Sequence, residues 1–341
     1  MELEFGLCLP IFSGAHDSHP RTPLLEKVQW DNIVKAVKKA ERLGFSSIWV
    51  ADHLMLGYKD EILECWSTLS ALSSITKRMR LGTIHISNLF RNPALLAKMV
   101  ATLDYISKGR IDFFLDAGHK GSLREAKSYG YTWPDDKMRV EMLVESIEII
   151  KELWKGKEVN YEGKYYKISG AICRPIPLQK PNPPLWIGTI GGEKLAEGIG
   201  VDELIMEVIA KHADVWNNTP ASVDYCGKKI AELKAVCSKV GRKFEDIKLS
   251  IENQILIGKS EDKLIRLIEE LKKKNPKQYY YQDMKSVKDT YIIGTPDECI
   301  KKIKEYRSLE INKFLLWFMD MPSLEGLELF ANEVMPQLLK R

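Results

Sequence analysis

Short apolar segments alternate with amphipathic segments along almost the whole chain of 341 residues. The apolar segments predict eight buried strands, at Leu3–Leu9, Ser47–Ala51, Met79–Ile86, Arg110–Ala117, Pro184–Gly188, Asp214–Trp216, Ile247–Gly258 and Lys313–Met319. The intervening segments have helical spacing, as in Leu25–Leu43, where Gly44 ends the predicted helix. This alternation is typical of a parallel sheet, and eight strands favour the α/β fold of a closed (β/α)8 or TIM barrel. An open doubly wound sheet is the alternative.

Two of the predicted connections are much longer than the others. Lys155–Pro183 lies between the fourth and fifth strands, and Lys259–Tyr291 follows the seventh. Loops above about 12–15 residues are uncommon in compact domains unless they have a structure or a role of their own. No proline- or glycine-rich linker divides the chain, so we expect both segments to be insertions on one domain that spans residues 1–341. The second is rich in lysine, and we expect it to face solvent.

The composition narrows the class of partner. There are 51 Lys and Arg against 47 Asp and Glu, a net charge of +4, and the charges are scattered through the predicted helices. A nucleic-acid partner is therefore not expected. The six cysteines include no C-x-x-C pair, which suits a reducing compartment. The N-terminus is acidic and no apolar run approaches about 18 residues, so we expect a cytoplasmic protein with no membrane partner.

Three of the six histidines lie near the C-terminal ends of consecutive predicted strands: His53 after the second, His85 after the third and His119 after the fourth. In a barrel this end is the active-site face. One such histidine is more often a structural residue, but three together indicate a site. They could be proton donors, hydrogen-bond partners of a bound ring, or metal ligands. We expect no metal, because the first strand supplies no histidine and the sequence contains no H-x-H.

A glycine pair follows the fifth strand, in the segment Thr189-Ile-Gly-Gly192, and precedes a predicted helix at Lys194–Ala213. Free backbone N–H groups at such a turn can bind a phosphate. A tight turn alone would also explain the glycines, and the neighbouring Glu193 would repel a phosphate unless it points away. Gly294-Thr-Pro296, which precedes a later helix, is a second candidate.

Two charged residues beside these histidines leave their roles open. Asp52 could orient the imidazole of His53, but neighbouring residues on a strand point apart, so Asp52 could equally be structural. Arg91, after the third strand, could bind an anion or cap a loop.

Several segments, in order along the chain, match the pattern of one known group of enzymes. They are 40–53, 90–104 with 106–110, 163–166, 175–179, 183–188, 213–217, 294–296 and 329–336. Each alone is a loose match. Together they resemble the bacterial luciferase-like superfamily of flavin- and deazaflavin-dependent oxidoreductases over nearly the whole chain.

The resemblance implies a reduced flavin-type cofactor, coenzyme F420 or FMN, with its ring over the second to fourth strands of a TIM barrel. It also implies a non-prolyl cis peptide near Ile84-His85. The segment 170–179 looks most like the subgroup described as using F420, and dimers are common among relatives, so a homodimer is expected by analogy. The positions implied to bind the cofactor are Thr83, Ile84, His85, Gly118, Thr189, Gly191 and Gly192.

The chain departs from the family pattern in two places. After the fourth strand it reads Ala117-Gly-His-Lys-Gly-Ser-Leu-Arg124, where relatives usually have Gly-Gly-Trp, or Gly-Glu followed by acidic residues. His119 is the candidate replacement for the usual proton donor, and an altered or lost activity is the alternative. The second departure is the extended stretch at 193–211, which affects the expected phosphate site.

The leading hypothesis is an oxidoreductase that transfers a hydride between the cofactor ring and a small organic substrate, with His53 and His119 as acid/base candidates. An FMN-dependent monooxygenase that uses O2 is the nearest alternative. A non-catalytic flavin-binding protein and a metal-dependent hydrolase that uses the three histidines are alternatives of other classes.

Overall fold

Parallel strands close into a barrel in the computed structural model, which describes residues 2–14, 21–188, 199–276 and 284–339. Each barrel strand pairs with the next, and the last pairs with the first, so the predicted TIM barrel is confirmed and the open sheet is excluded. The barrel strands are β1 Glu4–Cys8, β2 Ser47–Ala51, β3 Arg80–Ile84, β4 Ile111–Asp116, β5 Leu185–Gly188, β6 Val215–Asn218, β7 Lys248–Ile257 and β8 Ile311–Phe318.

The helices that surround the barrel follow the strands in sequence. They are α1 Trp30–Leu43, α2 Cys65–Ile75, α3 Pro93–Ile106, α4 Asp136–Leu153, α5 Ile199–His212, α6 Val223–Val240, α7 Pro296–Arg307 and a C-terminal pair, Glu325–Leu329 and Met335–Leu339, joined by a π-helical turn. The prediction that α1 begins at Leu25 is wrong. The carbonyl of Leu25 accepts the N–H of Gly14, and Leu24 is buried in a separate apolar cluster, so both residues serve the loop after β1.

The first insertion forms an antiparallel hairpin of Val159–Glu162 and Lys167–Ala171. Its turn is fixed to α4, because the carboxylate of Glu145 accepts the backbone N–H groups of residues 164, 165 and 166. The hairpin therefore packs on the outer helices. Tyr166 reaches the loop after β3, where its hydroxyl accepts from Asn88 at 3.3 Å.

The second insertion contains the helices Glu261–Lys274 and Met284–Thr290, followed by a short strand at Ile292–Gly294 that pairs with the end of β7. The expectation that this segment simply faces solvent is wrong in part. Lysines 259, 263, 272–274 and 288 are exposed, but an apolar side covers a second cluster beside the barrel, made of Leu24, Leu256, Leu264, Leu271, Val287, Tyr291, Ile293 and Met319.

The middle of the barrel is filled by aromatic rings. Trp49 points inward from β2, donates from Nε1 to the hydroxyl of Ser47 at 2.9 Å, and packs edge-on against Trp186 at 4.6 Å. Gly6 and Gly82 on the neighbouring strands leave the space that the indole occupies, since a Cβ on Gly82 would lie 2.2 Å from the ring. The barrel is thus a packed core, and chemistry is confined to its C-terminal end.

Two further features concern the apolar length of the helices and the state of the cysteines. Across the described ranges, no helix is both long and apolar enough to cross a lipid bilayer. All six cysteines are buried and unbridged.

Gly82→Ala should destabilise the fold, because its methyl group would overlap the ring of Trp49. Overpacking of a core typically costs about 1–3 kcal/mol, and we expect a loss in that range in the free energy of unfolding by urea. Gly227→Ala in α6 is the control: the nearest atom, on Leu309, would be 3.7 Å away, so a gain of about 0.5–1 kcal/mol is expected. Equal stability of Gly82→Ala and the wild type would contradict this account.

Candidate active site

The three histidines singled out in the sequence meet at the C-terminal end of the barrel. The rings of His53 and His119 lie nearly perpendicular with centroids 5.8 Å apart. The ring of His85 packs edge-on against Phe114 of β4 at 4.4 Å. This end therefore carries a cluster of imidazoles, each in a different environment.

His53 is held by a buried carboxylate. Its Nδ1 lies 2.7 Å from Oε1 of Glu125, while Oε2 accepts the backbone N–H groups of Leu54 and Met55 at 2.6 and 3.0 Å. Burial alone would raise the pKa of Glu125, but His53 and the two N–H groups bring it below its usual value, so the carboxylate is ionised at neutral pH. Because an ionised carboxylate only accepts, Nδ1 carries a proton and Nε2 of His53 is the nitrogen that can accept another.

Sequence reasoning missed Glu125. It lies on the short helix Leu123–Ser128, directly after the stretch 117–124 where the chain departs from the family pattern. Nothing in its sequence neighbourhood marks it, because its contact with His53 arises from the folding of the loop after β4 over the loop after β2. The polar pattern of a short helix does not show which side chain will be turned inward.

His119 is a hydrogen-bond donor at neutral pH. The N–H of Gly121 donates to Nδ1 at 3.0 Å, so the ring proton is on Nε2. Burial, with repulsion from His53, His85 and Arg21, lowers the pKa of His119 to about 3. Glycine is needed at position 121, since a Cβ there would lie 2.5 Å from the ring. This environment favours hydrogen bonding over proton exchange.

His85 lies between two carboxylates. Its Nε2 is 3.3 Å from Oε2 of Glu252 on β7, and its Nδ1 is 3.8 Å from Asp116 at the end of β4. Oε1 of Glu252 accepts from Trp317 of β8 at 2.6 Å and from Arg21 at 3.3 Å. Burial alone would raise the pKa of Glu252, but Arg21, His85 and Trp317 hold it well below its usual range.

Glu252 was also missed, although the sequence contains a signal for it. The triplet Glu252-Asn-Gln254 lies in the middle of a segment rich in Ile and Leu that was predicted as a buried strand. A charged residue in the middle of such a strand is rare unless it is paired, which identifies it as a candidate.

Asp52 and Arg91 serve the structure of the loops. Arg91 donates from both terminal nitrogens to Asp52 at 2.7 and 2.8 Å and also binds Glu64. Asp52 further accepts the N–H of Ser87 at 3.2 Å. The structural interpretation of Asp52 is therefore favoured, and the charge of Arg91 is already matched.

The residues implied to bind the cofactor fall in different settings. The peptide bond between Ile84 and His85 is cis, as the resemblance implied. Thr83 is fully buried, and its hydroxyl exchanges hydrogen bonds with the backbone of Phe114, at 3.2 Å to the carbonyl and 3.0 Å from the N–H. Gly118 has a φ of +79°, a region that favours glycine, and its N–H donates to Asp116 at 2.6 Å.

The phosphate site was expected at two glycine-containing turns. Thr189, Gly191 and Gly192 lie outside the described residues. At the second candidate, the N-terminus of α7, Glu298 accepts the N–H of Thr295 at 2.8 Å and closes a capping box. A carboxylate in this position disfavours an anion, so Gly294-Thr-Pro296 is explained as a helix start.

Within the part of the chain that the structure describes, no group of three or more His, Cys, Asp or Glu side chains is arranged to hold a metal ion. The three histidines are bound individually by Glu125, by the backbone of Gly121 and by the two carboxylates beside His85.

Known proteins resemble this chain over nearly its whole length. The family model for luciferase-like monooxygenase matches residues 3–313. An F420-dependent glucose-6-phosphate dehydrogenase of Amycolatopsis mediterranei is 27% identical over 331 residues, covering 90% of this chain and 94% of that protein. The enzyme of the same name from Segniliparus rotundus is 28% identical over 327 residues, covering 90% and 93%.

Solved structures agree on the fold. An F420-dependent secondary alcohol dehydrogenase, in complex with an F420–acetone adduct, superposes with a TM-score of 0.79 at 20% identity and full coverage of both chains (100%). An EDTA monooxygenase from Chelativorans also has a TM-score of 0.79, at 17% identity and with 99% of this chain and 94% of that one covered. At these identities the likeness shows the barrel alone.

The low pKa of His119 predicts a loss of stability in mild acid. The unfolded chain takes up a proton at this residue near pH 6.5 and the folded protein only near pH 3, so the free energy of unfolding falls as the pH drops below about 6.5. His119→Asn keeps an acceptor for Gly121 but does not titrate. Between pH 7 and pH 5 it should lose less stability than the wild type, by on the order of 1 kcal/mol in urea unfolding. Equal losses would contradict the assigned environment.

Proposed function

Since this chain belongs to the luciferase-like monooxygenase family and is an oxidoreductase of that family, we propose that it uses coenzyme F420 to oxidise an alcohol group of a small organic substrate, or to reduce the matching carbonyl, by hydride transfer. The observation that carries the proposal is the His53–Glu125 pair at the C-terminal end of the barrel. The relatives named above that are described as F420-dependent dehydrogenases support the choice of cofactor.

The pair supplies the proton acceptor that alcohol oxidation requires. An alcohol loses a hydride from carbon and a proton from oxygen. Nε2 of His53 takes the proton, while Nδ1 keeps its hydrogen bond to the ionised Glu125, which stabilises the imidazolium that forms. In the reverse direction the same nitrogen returns the proton to the carbonyl oxygen. The rings of His119 and His53 have centroids 5.8 Å apart, and the Nε2–H of His119 is the donor that orients the substrate oxygen.

Polar atoms without partners fit a flavin-type ring. Among the residues that the structure describes, the amide nitrogen of Asn217 on β6 and both amide atoms of Gln254 on β7 have no partner, although both side chains are buried and on the inner wall. Unpaired buried polar groups indicate a ligand or bound water. A deazaflavin or flavin ring has carbonyl and N–H groups along one edge and therefore needs both donors and acceptors. When bound, the cofactor supplies the hydride acceptor or donor. The residues proposed to hold it are Ile84, His85, Gly118, Asn217 and Gln254, with Thr189, Gly191 and Gly192 as the proposed phosphate site.

An FMN-dependent monooxygenase is the second candidate, because the EDTA monooxygenase superposes as well as the F420-dependent alcohol dehydrogenase. The two activities make different demands on the protein. Hydride transfer to or from an alcohol needs a proton acceptor on the substrate side, and the His53–Glu125 pair supplies it. The same pair argues against a non-catalytic binding protein, since burial of Glu125 is not needed to bind a neutral ring.

Replacing His53 tests the proposal. The amide of His53→Asn can still donate to Glu125 but provides no Nε2, so F420 reduction by an accepted alcohol should slow by about 10²–10⁴-fold. Affinity for F420 should change by no more than a few-fold. The rate is measured as the loss of F420 absorbance with a panel of secondary alcohols and sugar phosphates.

His212→Asn is the matched control, because His212 on α5 packs near Lys151 and Arg242, away from the histidine cluster, and should keep the full rate. Turnover of His53→Asn at the wild-type rate would contradict the assigned role. Substrate oxidation that requires FMN and O2 and does not occur with F420 would favour the monooxygenase instead.

We also propose a homodimer, formed through the outer faces of α2 and α3. No exposed residue of either helix is charged, although 29% of the chain is. On α1, the outward positions Asp31, Lys35, Lys38 and Arg42 are all charged, whereas the same spacing on α3 has Leu95, Met99, Thr102 and Ile106. The outward positions of α2 are Ser67, Ser70, Ala71 and Ser74. An apolar ridge beside a face of small residues is self-complementary, as a two-fold interface requires.

Charges on the ridge should separate the subunits. Leu95 and Ile106 are 56% and 58% exposed, so replacing both with glutamate does not disturb the core of one chain. We expect the double variant to be a folded monomer in sedimentation analysis. Ile265→Glu, which changes an isoleucine 47% exposed on the second insertion, should remain a dimer. A dimeric double variant, or a monomeric wild type, would contradict this interface.

A further inference from the structure

Glu252 is a buried carboxylate in the middle of a barrel strand. Its neighbour two positions earlier on β7, Ser250, pairs in register with inward-facing Asn217, so Glu252 also faces the barrel interior. It is 1% exposed. The fold does not require a carboxylate here, because burying an ion costs several kcal/mol and an apolar residue of similar size is often as stable or more so. Its presence therefore calls for a role at the site.

The two oxygens of Glu252 have different partners. Oε1 accepts from Trp317 at 2.6 Å and from Nε of Arg21 at 3.3 Å. The guanidinium of Arg21 also lies over the ring of Trp317, 5.8 Å from its centroid. Oε2 has no aligned hydrogen bond from the described part of the chain, and Nε2 of His85 faces it at 3.3 Å. One carboxylate thus contacts groups from two different loops.

These contacts continue across the barrel mouth. Arg21 comes from the loop after β1, Glu252 from β7, His85 from the segment after β3, and Asp116 from the end of β4, 3.8 Å from the far nitrogen of His85. Nitrogen-bearing side chains and carboxylates alternate along this line. Removing the carboxylate at its centre would release Arg21 and His85 together.

We propose that Glu252 is a positioning residue of the active site, which seats the loop after β1 over the barrel with one oxygen and orients the imidazole of His85 with the other. Arg21 is then neutralised and does not act as an anion-binding group in the resting protein. The effect on hydride transfer rests on the proposed function, but both contacts exist in the protein without cofactor and can be tested there.

Trypsin measures the first contact. Trypsin cleaves after arginine, and the Arg21–Thr22 bond directly follows the arginine that Glu252 binds. Thr22 is also held in place, since its hydroxyl donates to the carbonyls of Phe12 and Gly14. In Glu252→Gln the charge is lost while an oxygen remains for Trp317. Cleavage after Arg21 should become at least about tenfold faster, with the rest of the chain intact, which corresponds to about 1.4 kcal/mol in the opening equilibrium. Glu162→Gln, which removes the carboxylate that pairs with the exposed Lys167 on the hairpin of the first insertion, should leave cleavage after Arg21 unchanged.

Imidazole 15N spectra measure the second contact, with the signals of His85 assigned from a His85→Gln sample. Loss of the facing carboxylate should shift the Nε2 resonance of His85, which a merely structural role of Glu252 would leave in place. Glu252→Asp keeps the charge and should restore part of both wild-type properties.

Folded Glu252→Gln with wild-type cleavage and wild-type His85 signals would overturn the proposal. If Glu252→Gln does not fold, Glu252→Asp tests the proposal. Its carboxylate is one methylene further from Arg21 and His85, so both the cleavage after Arg21 and the 15N signal of His85 must still differ from the wild type. If both contacts are found but neither F420 nor FMN is used, the positioning role stands and the proposed function fails.

Discussion

The packing of Trp49 against two glycines determines where this protein can do chemistry. Gly6 and Gly82 have no side chains, so the indole of Trp49 lies across the barrel axis and meets Trp186. The barrel interior is therefore closed to ligands from this layer to the N-terminal ends of the strands. The inward-facing polar side chains above the layer of Trp49 and Trp186 therefore lie at the C-terminal end, where the loops after β1, β2 and β4 meet.

At that end, two buried carboxylates assign different tasks to chemically identical rings. Glu125 fixes the proton on Nδ1 of His53 and leaves Nε2 as the nitrogen that can accept another. Glu252 faces Nε2 of His85 and also holds Arg21. His119, which has no carboxylate of the described residues at hydrogen-bond distance and accepts from a backbone N–H, stays neutral. The two residues are both histidines, so it is the electrostatic environment of each ring that makes His53 a proton acceptor and His119 a hydrogen-bond donor.

The barrel and the meeting of the histidines could be predicted because both follow from short-range patterns. Apolar runs gave the strands, and parallel strands place the residues that follow them on one face. Glu125 could not be predicted, since its partner is 72 residues away and is reached only when two loops fold together. Glu252 could have been, from its charge within an apolar strand. The first helix was started too early because Leu24 and Leu25 are apolar for a different reason, one in a second cluster and one in a loop.

The central claim is that this site binds a deazaflavin ring and uses it with the His53–Glu125 pair. The most direct test is a fluorescence titration of the purified protein with coenzyme F420 and, separately, with FMN. We expect tight, saturable binding of F420 and much weaker binding of FMN. Binding of FMN alone would contradict the choice of cofactor, and binding of neither would contradict the claim as a whole.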